Sequence, residues 1–393
     1  MITEALVVHE PGAPFVYQSI TVEDQLRDDE VLVRIRATGV CHTDLNFAKE
    51  ESVPGLFPGV FGHEGAGVVV RIGAAVTNVS TGDHVLLTYS SCGNCKYCKN
   101  HESSFCYDFE KANFGVGRSD GSKAYGTEDG SAITSHFFGQ SSFSKHSIVM
   151  ASSVVKIDRS LPLEDLAPLG CGIMTGAGAM INVVKPKSDD IVCVVGAGAV
   201  GLAALMALNL CSSRPTKVIA VDVVPEKLEL AKKYGATHVI NSRELNDLKT
   251  ALLESTDGRG IDGSIDTTGR PEIVGTLLKA TAKKGMVVQV GVGKLTAEVS
   301  TSIFDTVNTG RVYLGCAMGN CYPQEFIPML VAAWKSGDFP FTDLEVKYSA
   351  KDMDTALWRE SVVMVVTALF AIVSLKSSID GVRECLYNFE IRP

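Results

Sequence analysis

The chain has 393 residues, which at about 150 residues per domain gives room for two or three domains and a substantial core. Hydrophobic residues make up 46% and charged residues 21%, with 37 Gly and 14 Pro, a balance that excludes a disordered chain and a collagen-like repeat. The formal net charge is -9 and no dense Lys/Arg block is present, so nucleic acid is not an expected partner.

The amino-terminal segment MITEALVVHEPGAPF lacks the basic stretch, the long apolar run and the small-residue cleavage site of a secretory signal. The sequence therefore predicts a cytoplasmic protein. The 11 cysteines of such a chain point first to metal binding or catalysis, and only then to disulfides.

Two patterns of hydrophobicity follow each other along the chain. From about residue 31 to 155, short alternating apolar runs such as VLVRIRATGV are broken by Gly, Asn, Asp and Ser, which predicts a mainly β module with long loops. From 190 to 315, apolar strands such as IVCVVG and KVIAVD alternate with helical stretches, which predicts a doubly wound parallel sheet. We therefore predict an α/β protein with a first domain at 1–172 that includes a cysteine-rich lobe at about 88–110, a parallel-sheet domain at 173–316, and a return to the first domain at 317–393.

The carboxyl-terminal region, from about residue 357, contains an uncharged apolar run at 361–375. This run has 15 residues, fewer than the roughly 20 that a helix needs to span a bilayer, so a membrane span is not favoured. Its composition suits a buried strand or helix. The alternatives are a divergent terminus that exposes an apolar patch and, as the weakest, a tail anchor.

Four cysteines lie close together in SCGNCKYCKNHESSFC. Cys92, Cys95, Cys98 and Cys106 fall within 15 residues, a spacing that can close a tetrahedral four-thiolate zinc site. Unrelated reduced thiols or two local disulfides are the alternatives. A four-thiolate site leaves no open coordination position, so we interpret it as structural.

A second set of ligand-type residues is dispersed along the chain: Cys41 in GVCHTD, His63 in GHEGAG and Cys171 in PLGCGIMTGAG. Two thiolates and one imidazole, with the fourth position left to water or substrate, are the ligand set of a catalytic zinc, for which alcohol dehydrogenase is the standard example. Taken singly, Cys171 could be a packing residue and His63 a hydrogen-bonded core histidine.

A glycine-rich turn, VVGAGAVG, follows the apolar strand IVCVV and precedes a helical stretch. Gly196, Gly198 and Gly201 form the G-x-G-x-x-G pattern of a dinucleotide-binding turn. Asp222 ends the next strand 21 positions after the last glycine, where its carboxylate can accept hydrogen bonds from the adenosine ribose. A carboxylate there would repel the 2'-phosphate of NADP, and the pattern therefore favours NAD.

These motifs together resemble the zinc-dependent medium-chain alcohol dehydrogenases, over about residues 1–356. The resemblance rests on GHEGAGVVVRIGAAV, the cysteine quartet, GAGAVG and VDVVPEKLELAKKYGATHVIN, which occur in the family's order. HFFGQSSF and PLGCGIMTGAG are most similar to the aryl-alcohol (benzyl-alcohol) branch. The resemblance implies a GroES-like catalytic domain at 1–172 and a Rossmann domain that binds NAD at 173–316.

Residue by residue, the resemblance makes Cys41, His63 and Cys171 the ligands of a catalytic zinc. It places Glu64 behind the metal and Asp44 toward the imidazole of His63.

The same resemblance gives roles to the residues that hold substrate and cofactor. Thr43 would hold the substrate hydroxyl, His42 would lie near the cofactor pyrophosphate, and Lys227 would reach the ribose. Many family members carry a histidine five residues after the first zinc cysteine, but this chain has Asn46, which cannot titrate near neutral pH. The proton would leave through water, the cofactor ribose or His42.

The activity implied is a reversible hydride transfer between a primary aromatic (benzylic) alcohol and NAD that gives the aldehyde, with two zinc ions per chain. Zinc would act as a Lewis acid on the alcohol oxygen. The family also implies a homo-oligomer, either a dimer or a tetramer. Two alternatives stay open: a dehydrogenase of short aliphatic alcohols or of S-hydroxymethylglutathione, and a catalytically impaired binding or structural homologue, because the carboxyl terminus departs from the family.

The family usually ends with a basic residue that helps to hold the cofactor pyrophosphate. In this chain the segment WRESVVMVVTALFAIVSL intervenes before KSSIDGV, a faint match to that ending. Lys376 and Arg383 are therefore the candidates for the missing cation.

Overall fold

A computed structural model describes residues 1–50, 52–294 and 296–353, together with the backbone of a strand at 365–369. The first part of the chain is mainly antiparallel β structure. Its elements, in order, are β1 (Ile2–Val8), β2 (Val16–Val22), β3 (Glu30–Val40), α1 (His42–Lys49), β4 (Gly59–Val60), β5 (Glu64–Ile72), β6 (His84–Leu87), α2 (Lys96–Lys99), α3 (Phe109–Phe114), β7 (Tyr125–Gly126), β8 (Ala132–Ile133), β9 (His146–Met150), β10 (Val154–Ile157) and α4 (Leu163–Leu166).

Strand β3 is central to this part of the molecule, and ten of its eleven residues are buried or half-buried. It pairs antiparallel with β5, and Gly39 lies opposite Glu64 in the register. Because β3 ends at Val40 and β5 begins at Glu64, this pairing brings the residues just outside the two strands, Cys41 and His63, to the same end of the sheet. The register of this one strand pair therefore fixes the relative positions of two of the proposed metal ligands.

The middle of the chain alternates between helices and strands. Its elements are α5 (Gly172–Gly178), β11 (Ile191–Val195), α6 (Ala199–Met206), β12 (Lys217–Asp222), α7 (Pro225–Lys233), β13 (His238–Asn241), α8 (Leu248–Ser255), β14 (Ile261–Asp266), α9 (Pro271–Ala280), β15 (Thr281–Gln289), α10 (Ile303–Thr309) and β16 (Val312–Gly315).

These six strands form one sheet in the order β13-β12-β11-β14-β15-β16, and every pair in it is parallel. The residues of β11 alternate between two separate hydrophobic clusters: Val192 and Val194 face one, Cys193 and Val195 the other. Helices therefore cover both faces of the sheet, and the predicted doubly wound fold is confirmed. The strand order reverses beside β11, so a ligand crevice is expected at the carboxyl ends of the strands there.

The last described elements return to the sheet of β3. They are α11 (Pro323–Ser336), β17 (Glu345–Ser349) and β18 (Val365–Leu369). Strand β18 lies between β17 and β3, and it pairs with Ala37–Val40, the end of β3 that precedes Cys41. Five residues of the apolar run at 361–375 therefore form a strand, which is one of the two kinds of element expected for that run. The rest of that run, Lys376 and Arg383 lie outside the described residues.

No single helix in the described ranges is long and apolar enough to cross a bilayer. One pair of helical segments, Leu163–Gly170 and Gly172–Val184, meets the length and composition criteria together, with a bend of 57° between them.

Candidate active site

Three segments distant in sequence meet at one buried point. Cys41, His63, Glu64 and Cys171 each direct one ligand-type atom into it, and these atoms all lie within 4.8 Å of one another. Cys41 follows β3, His63 precedes β5, and Cys171 precedes α5. The structure therefore brings together the three residues that the sequence proposed as ligands of a catalytic zinc, with Glu64 beside them.

The imidazole of His63 is held in one orientation. Its Nδ1 is 2.9 Å from Oδ1 of Asp44, and both side chains are fully buried. Asp44 also accepts the backbone N–H of Gly62 at 2.9 Å and that of Cys41 at 3.1 Å. With Nδ1 bonded to the carboxylate, Nε2 is the ring nitrogen left to face the site, and within the described part of the chain this buried atom has no hydrogen-bond partner. A metal ion would satisfy it.

The two thiols have opposite acidities. A hydrogen bond from Cys171 lowers the pKa of Cys41 well below its usual value, and the same contact raises the pKa of Cys171 well above its usual value. Burial by itself lowers the pKa of His63, but the Asp44 carboxylate raises it well above the usual value. A lowered pKa favours the thiolate, which is the form of cysteine that binds a metal. The donor set of two sulfurs and one imidazole nitrogen fits zinc.

Glu64 lies directly behind this group. Its Oε1 accepts the backbone N–H of Gly172 at 2.9 Å, so it joins the β5 segment to the residue after Cys171. A Cβ on Gly39 would lie 1.8 Å from Oε2 of Glu64, which explains why β3 carries a glycine opposite this carboxylate. Burial raises the pKa of Glu64 to about 8.

Helix α1 presents the residues that the sequence placed around the substrate. Thr43 is half-buried, and its Oγ1 is 3.6 Å from Sγ of Cys41. His42 and Asn46 are exposed on the same helix. Of the three, Thr43 is therefore placed next to a proposed ligand.

The cysteine quartet forms a second group of thiols. The sulfur atoms of Cys92, Cys95, Cys98 and Cys106 lie within 4.8 Å of one another, and all four cysteines are free. Cys98 Sγ is 3.5 Å from Cys95 Sγ and 3.9 Å from Cys92 Sγ. Sulfurs around a tetrahedral zinc are about 3.8 Å apart, since each Zn–S bond is about 2.3 Å, whereas a disulfide requires about 2.05 Å. The geometry fits a four-thiolate metal site and not two disulfides.

The glycine-rich turn joins β11 to the amino terminus of α6. Gly196 has φ of +90°, and a Cβ on it would lie 2.1 Å from Oγ1 of Thr267. A Cβ on Gly201 would lie 1.9 Å from the carbonyl oxygen of Gly196. The fold itself requires both glycines. A Cβ on Gly198, by contrast, would meet no atom of the described residues within 4 Å, so among them the space above this turn is open to a phosphate at the helix amino terminus.

Asp222 ends the next strand and faces this turn. Its Oδ2 accepts the backbone N–H of Ala197 at 2.7 Å, and its Oδ1 accepts those of Val223 at 2.7 Å and Val224 at 3.0 Å. Lys227 lies half-buried in the first turn of α7. These contacts hold the carboxylate against the glycine turn, where it could accept ribose hydroxyls with its remaining lone pairs.

Aromatic side chains cover His63, one of the proposed metal ligands, on one side. The ring of Phe138 stacks on the His63 imidazole, with centroids 4.5 Å apart. Phe114 meets Phe138 edge-on at 5.1 Å and stacks on Phe47 at 5.0 Å. Phe137 meets Phe47 at 5.3 Å. We call Phe47, Phe114, Phe137 and Phe138 the aromatic wall.

The sequence reasoning missed several residues of this site. Phe138 was visible only as part of HFFGQSSF, and nothing in that run indicates which ring reaches His63. The hydroxyl of Thr175 in α5 is buried and has no hydrogen-bond partner among residues 1–50, 52–294 and 296–353, and the side-chain amide of Gln140 is fully buried behind His63. In the sequence, Thr175 and Gln140 are visible only as polar residues inside otherwise apolar or small-residue segments. Such a pattern identifies a candidate site residue but not the atoms that it contacts.

Two family models match the chain. Residues 27–159 match the alcohol dehydrogenase GroES-like domain, and residues 199–335 match the zinc-binding dehydrogenase family.

Individual proteins are similar over almost the whole chain. Geraniol dehydrogenase of Castellaniella defragrans is 35% identical over 90% of this chain and 93% of its own length. S-(hydroxymethyl)glutathione dehydrogenase of Escherichia coli is 34% identical over 88% and 92%. The crystal structure of benzyl alcohol dehydrogenase from Acinetobacter calcoaceticus superposes with a TM-score of 0.88, at 37% identity, over 94% of this chain and 100% of that one.

Proposed function

The chain belongs to the zinc-dependent medium-chain alcohol dehydrogenases, which use NAD, and on this premise we propose that it oxidises a primary aromatic (benzylic) alcohol to the aldehyde in a reversible reaction. The observation that supports an aromatic substrate is the aromatic wall, which packs directly on His63 through Phe138. The likeness to a benzyl alcohol dehydrogenase supports the same choice. The reaction would occur between the proposed catalytic domain, 1–172 with 317–393, and the proposed NAD-binding domain, 173–316.

We assign the catalytic zinc to Cys41, His63 and Cys171, and the structural zinc to Cys92, Cys95, Cys98 and Cys106. A zinc ion held by the first set would supply a Lewis acid for the alcohol oxygen. Bound NAD would supply the ring that accepts the hydride.

The chain's own residues orient and deprotonate the substrate in this proposal. Asp44 accepts the Nδ1 proton of His63 and so fixes the tautomer that presents Nε2 to the metal. Thr43, beside Cys41, takes the proton of the substrate hydroxyl and passes it outward. Asn46 cannot titrate, so the proton continues to His42, to the cofactor ribose or to water. Glu64 positions Gly172 and the Cys171 segment without contacting the substrate.

NAD would bind at the glycine turn and Asp222. The pyrophosphate would approach Gly198, where the turn is open, with His42 nearby, and the ribose hydroxyls would meet Asp222 and Lys227. We expect Asp222→Gly to lower kcat/KM for NAD by roughly tenfold or more, because a charged acceptor is lost, and to raise the relative use of NADP. Steady-state kinetics with both cofactors measures this ratio.

The ratio of kcat/KM with NAD to kcat/KM with NADP does not depend on the fraction of folded protein, since a loss of folded protein lowers both values equally. Glu226→Gln is the matched control, because Glu226 is an exposed acid in the first turn of α7, and it should leave the ratio unchanged. An unchanged ratio in Asp222→Gly itself would remove Asp222 from the ribose site.

The proposed substrate class is tested by NADH formation from benzyl alcohol, geraniol, 1-butanol and S-hydroxymethylglutathione, with zinc analysis of the same preparation. We expect kcat/KM to be highest for benzyl alcohol. Geraniol and S-hydroxymethylglutathione are included because two relatives carry those substrates in their names. Two zinc ions per chain together with turnover would exclude the alternative of a binding or structural homologue.

An anionic substrate such as a glutathione adduct needs an available cation near the site. Arg118, the first arginine after the aromatic wall residue Phe114, is instead held in a buried ion-pair network. Its Nε is 2.6 Å from Oε1 of Glu30, its Nη2 is 2.9 Å from Oε2 of Glu30, and its Nη1 bonds Glu23. Arg118 is therefore already paired and does not offer its charge to such a substrate.

Removing one ring of the aromatic wall should change substrate preference. We expect Phe114→Ala to lower kcat/KM for benzyl alcohol by roughly five- to tenfold relative to 1-butanol, because an aromatic pair contributes about 0.5–1.5 kcal/mol beyond area burial. Phe105→Ala is the matched control, since Phe105 contacts Tyr97 in the cysteine-rich lobe and no ring of the wall. An equal fall for both alcohols in Phe114→Ala would contradict the proposed substrate pocket.

One apolar surface of this chain is a candidate interface for the homo-oligomer expected from the family. Val292, Ile303, Phe304 and Val307 are each at least 78% exposed, and they lie in the segments before β16. Strand β16 is the edge of the parallel sheet within the described part of the chain. An unpaired sheet edge beside apolar side chains is typical of a protein interface, so we propose that a second copy covers it. Analytical ultracentrifugation of the purified protein would measure the assembly state.

We also propose a cytoplasmic location. Both zinc sites need reduced thiols, and all ten described cysteines are free. A reducing compartment keeps thiols in that state.

A further inference from the structure

A glutamine side chain lies behind the proposed zinc ligands and bonds three backbone groups. Gln140 is fully buried. Its Oε1 accepts the N–H of Gly65 at 3.1 Å, and its Nε2 donates to the carbonyls of His63 at 2.8 Å and Thr88 at 2.9 Å. Both hydrogens of the amide are therefore used. Two of the three bonds flank Glu64, so the amide holds the chain on both sides of that residue.

The same network reaches the Cys171 segment. Oγ1 of Thr88 donates to the carbonyl of Gly170 at 2.7 Å, and Thr88 is fully buried. Gly170 immediately precedes Cys171. Gln140 and Thr88 thus connect the backbone that carries His63 to the backbone that carries Cys171, although the two ligands are far apart in sequence.

The backbone close to Gln140 adopts an uncommon conformation at two residues. Phe138 has φ of 52° and Ser141 has φ of 49°, a left-handed conformation that is uncommon for residues other than glycine. Ser141 is itself tied to the carbonyl of Val60 by a hydrogen bond of 2.6 Å. Strained backbone of this kind persists where the surrounding structure determines it strongly, and it clusters at functional sites.

We propose that Gln140 is a positioning residue of the metal site: through its three backbone bonds and Thr88 it fixes the placement of His63 relative to Cys171. The proposal rests on the proposed function, since it takes Cys41, His63 and Cys171 as zinc ligands. Without the amide, two buried carbonyls and one N–H lose their partner, and the backbone must move or admit water to satisfy them. Either change shifts the imidazole from its place opposite Cys171.

A matched control exists elsewhere in the chain. The amide of Asn113 is also fully buried and also makes three backbone bonds: it accepts from Ser90 N–H at 2.7 Å and donates to the carbonyls of Ser90 at 2.9 Å and Phe109 at 2.8 Å. None of these groups belongs to the segments that carry Cys41, His63 or Cys171. Asn113→Leu therefore measures the cost of losing a buried amide without loosening those segments.

The test measures zinc release from the full-length holoprotein. A chelating dye that absorbs on binding zinc follows the release, and the Cys41→Ser protein identifies which kinetic phase belongs to the proposed catalytic site. We expect Gln140→Leu to accelerate that phase by roughly 10- to 100-fold, the usual cost of removing a residue that orients metal ligands, while the quartet phase is unchanged. Asn113→Leu should leave the catalytic-site phase as in the wild-type protein.

A second readout separates positioning from a general loss of stability. After cobalt replaces zinc, the visible absorption bands report the ligand geometry, and we expect Gln140→Leu to shift them while Asn113→Leu does not. If Gln140→Leu fails to fold, Thr88→Val, which removes only the bond to Gly170, should accelerate the same phase by a smaller factor.

Two results distinguish the failure of this proposal from the failure of the proposed function. An unchanged catalytic-site phase and an unchanged cobalt spectrum in Gln140→Leu would overturn the positioning role and leave the zinc site intact. A Cys41→Ser protein that still binds two zinc ions would instead overturn the zinc assignment, and with it the premise of this proposal.

Discussion

Replacing Cys41 by serine should lower kcat/KM at least about a thousandfold while the protein still folds, because it removes a ligand of the proposed catalytic zinc. Cys41 lies between β3 and α1, half-buried, and the quartet is a separate group of ligand-type residues. The variant should therefore keep one zinc ion per chain. Steady-state kinetics and metal analysis by mass spectrometry give the two measurements.

Cys211→Ser is the control for this experiment. Cys211 is a free, half-buried thiol whose Sγ contacts only the carbonyl of Ala207 among the described hydrogen bonds, and it belongs to neither group of ligands. It should retain both zinc ions and normal turnover. Near-normal activity of Cys41→Ser would show that the open metal site is not built on this thiol.

Replacing Cys98 by serine should have the opposite effect on metal content: the structural zinc should be released and the catalytic zinc should remain. Cys98 is one of the two buried members of the quartet, and its Sγ is 3.5 Å from that of Cys95 and 3.9 Å from that of Cys92, so its loss should release the structural zinc. Because a structural site couples metal binding to folding, we expect the apparent melting temperature to fall by roughly 10 °C or more. Differential scanning calorimetry at a fixed scan rate would record this shift.

The same Cys211→Ser protein serves as the control, since it makes the identical chemical change away from the lobe. The zinc that remains in Cys98→Ser should be the one that Cys41→Ser loses. A melting profile equal to that of the wild-type protein would mean that the quartet does not hold a structural metal.

The sequence alone predicted the features that depend on short stretches of chain. The quartet spans 15 residues, so local chain conformation brings its four thiols together independently of the rest of the fold. The turn at Gly196, Gly198 and Gly201 is likewise one strand, one turn and one helix, and the alternation of such units predicted the parallel sheet, which the structure confirms. Hydrophobic periodicity carries this information because it records which face of each element is buried.

Contacts between segments that are distant in sequence could not be predicted from hydrophobic periodicity. The sequence proposed Cys41, His63 and Cys171 as partners by resemblance, but the register of Gly39 against Glu64 is what brings the first two together. The bonds of Gln140 and the stacking of Phe138 on His63 depend on how a loop with left-handed residues folds over β5. The insertion of β18 between β17 and β3 likewise depends on a pairing across more than three hundred residues.

The amino-acid sequence by itself determined which residue types are available for the chemistry and the elements that carry them. The tertiary structure alone decided which residues distant in sequence meet. The physical reason is that local conformational preference acts over a few residues, whereas the placement of a buried polar group such as Gln140 or Asp44 is set by the requirement that all its hydrogen bonds be satisfied at once by segments from across the chain.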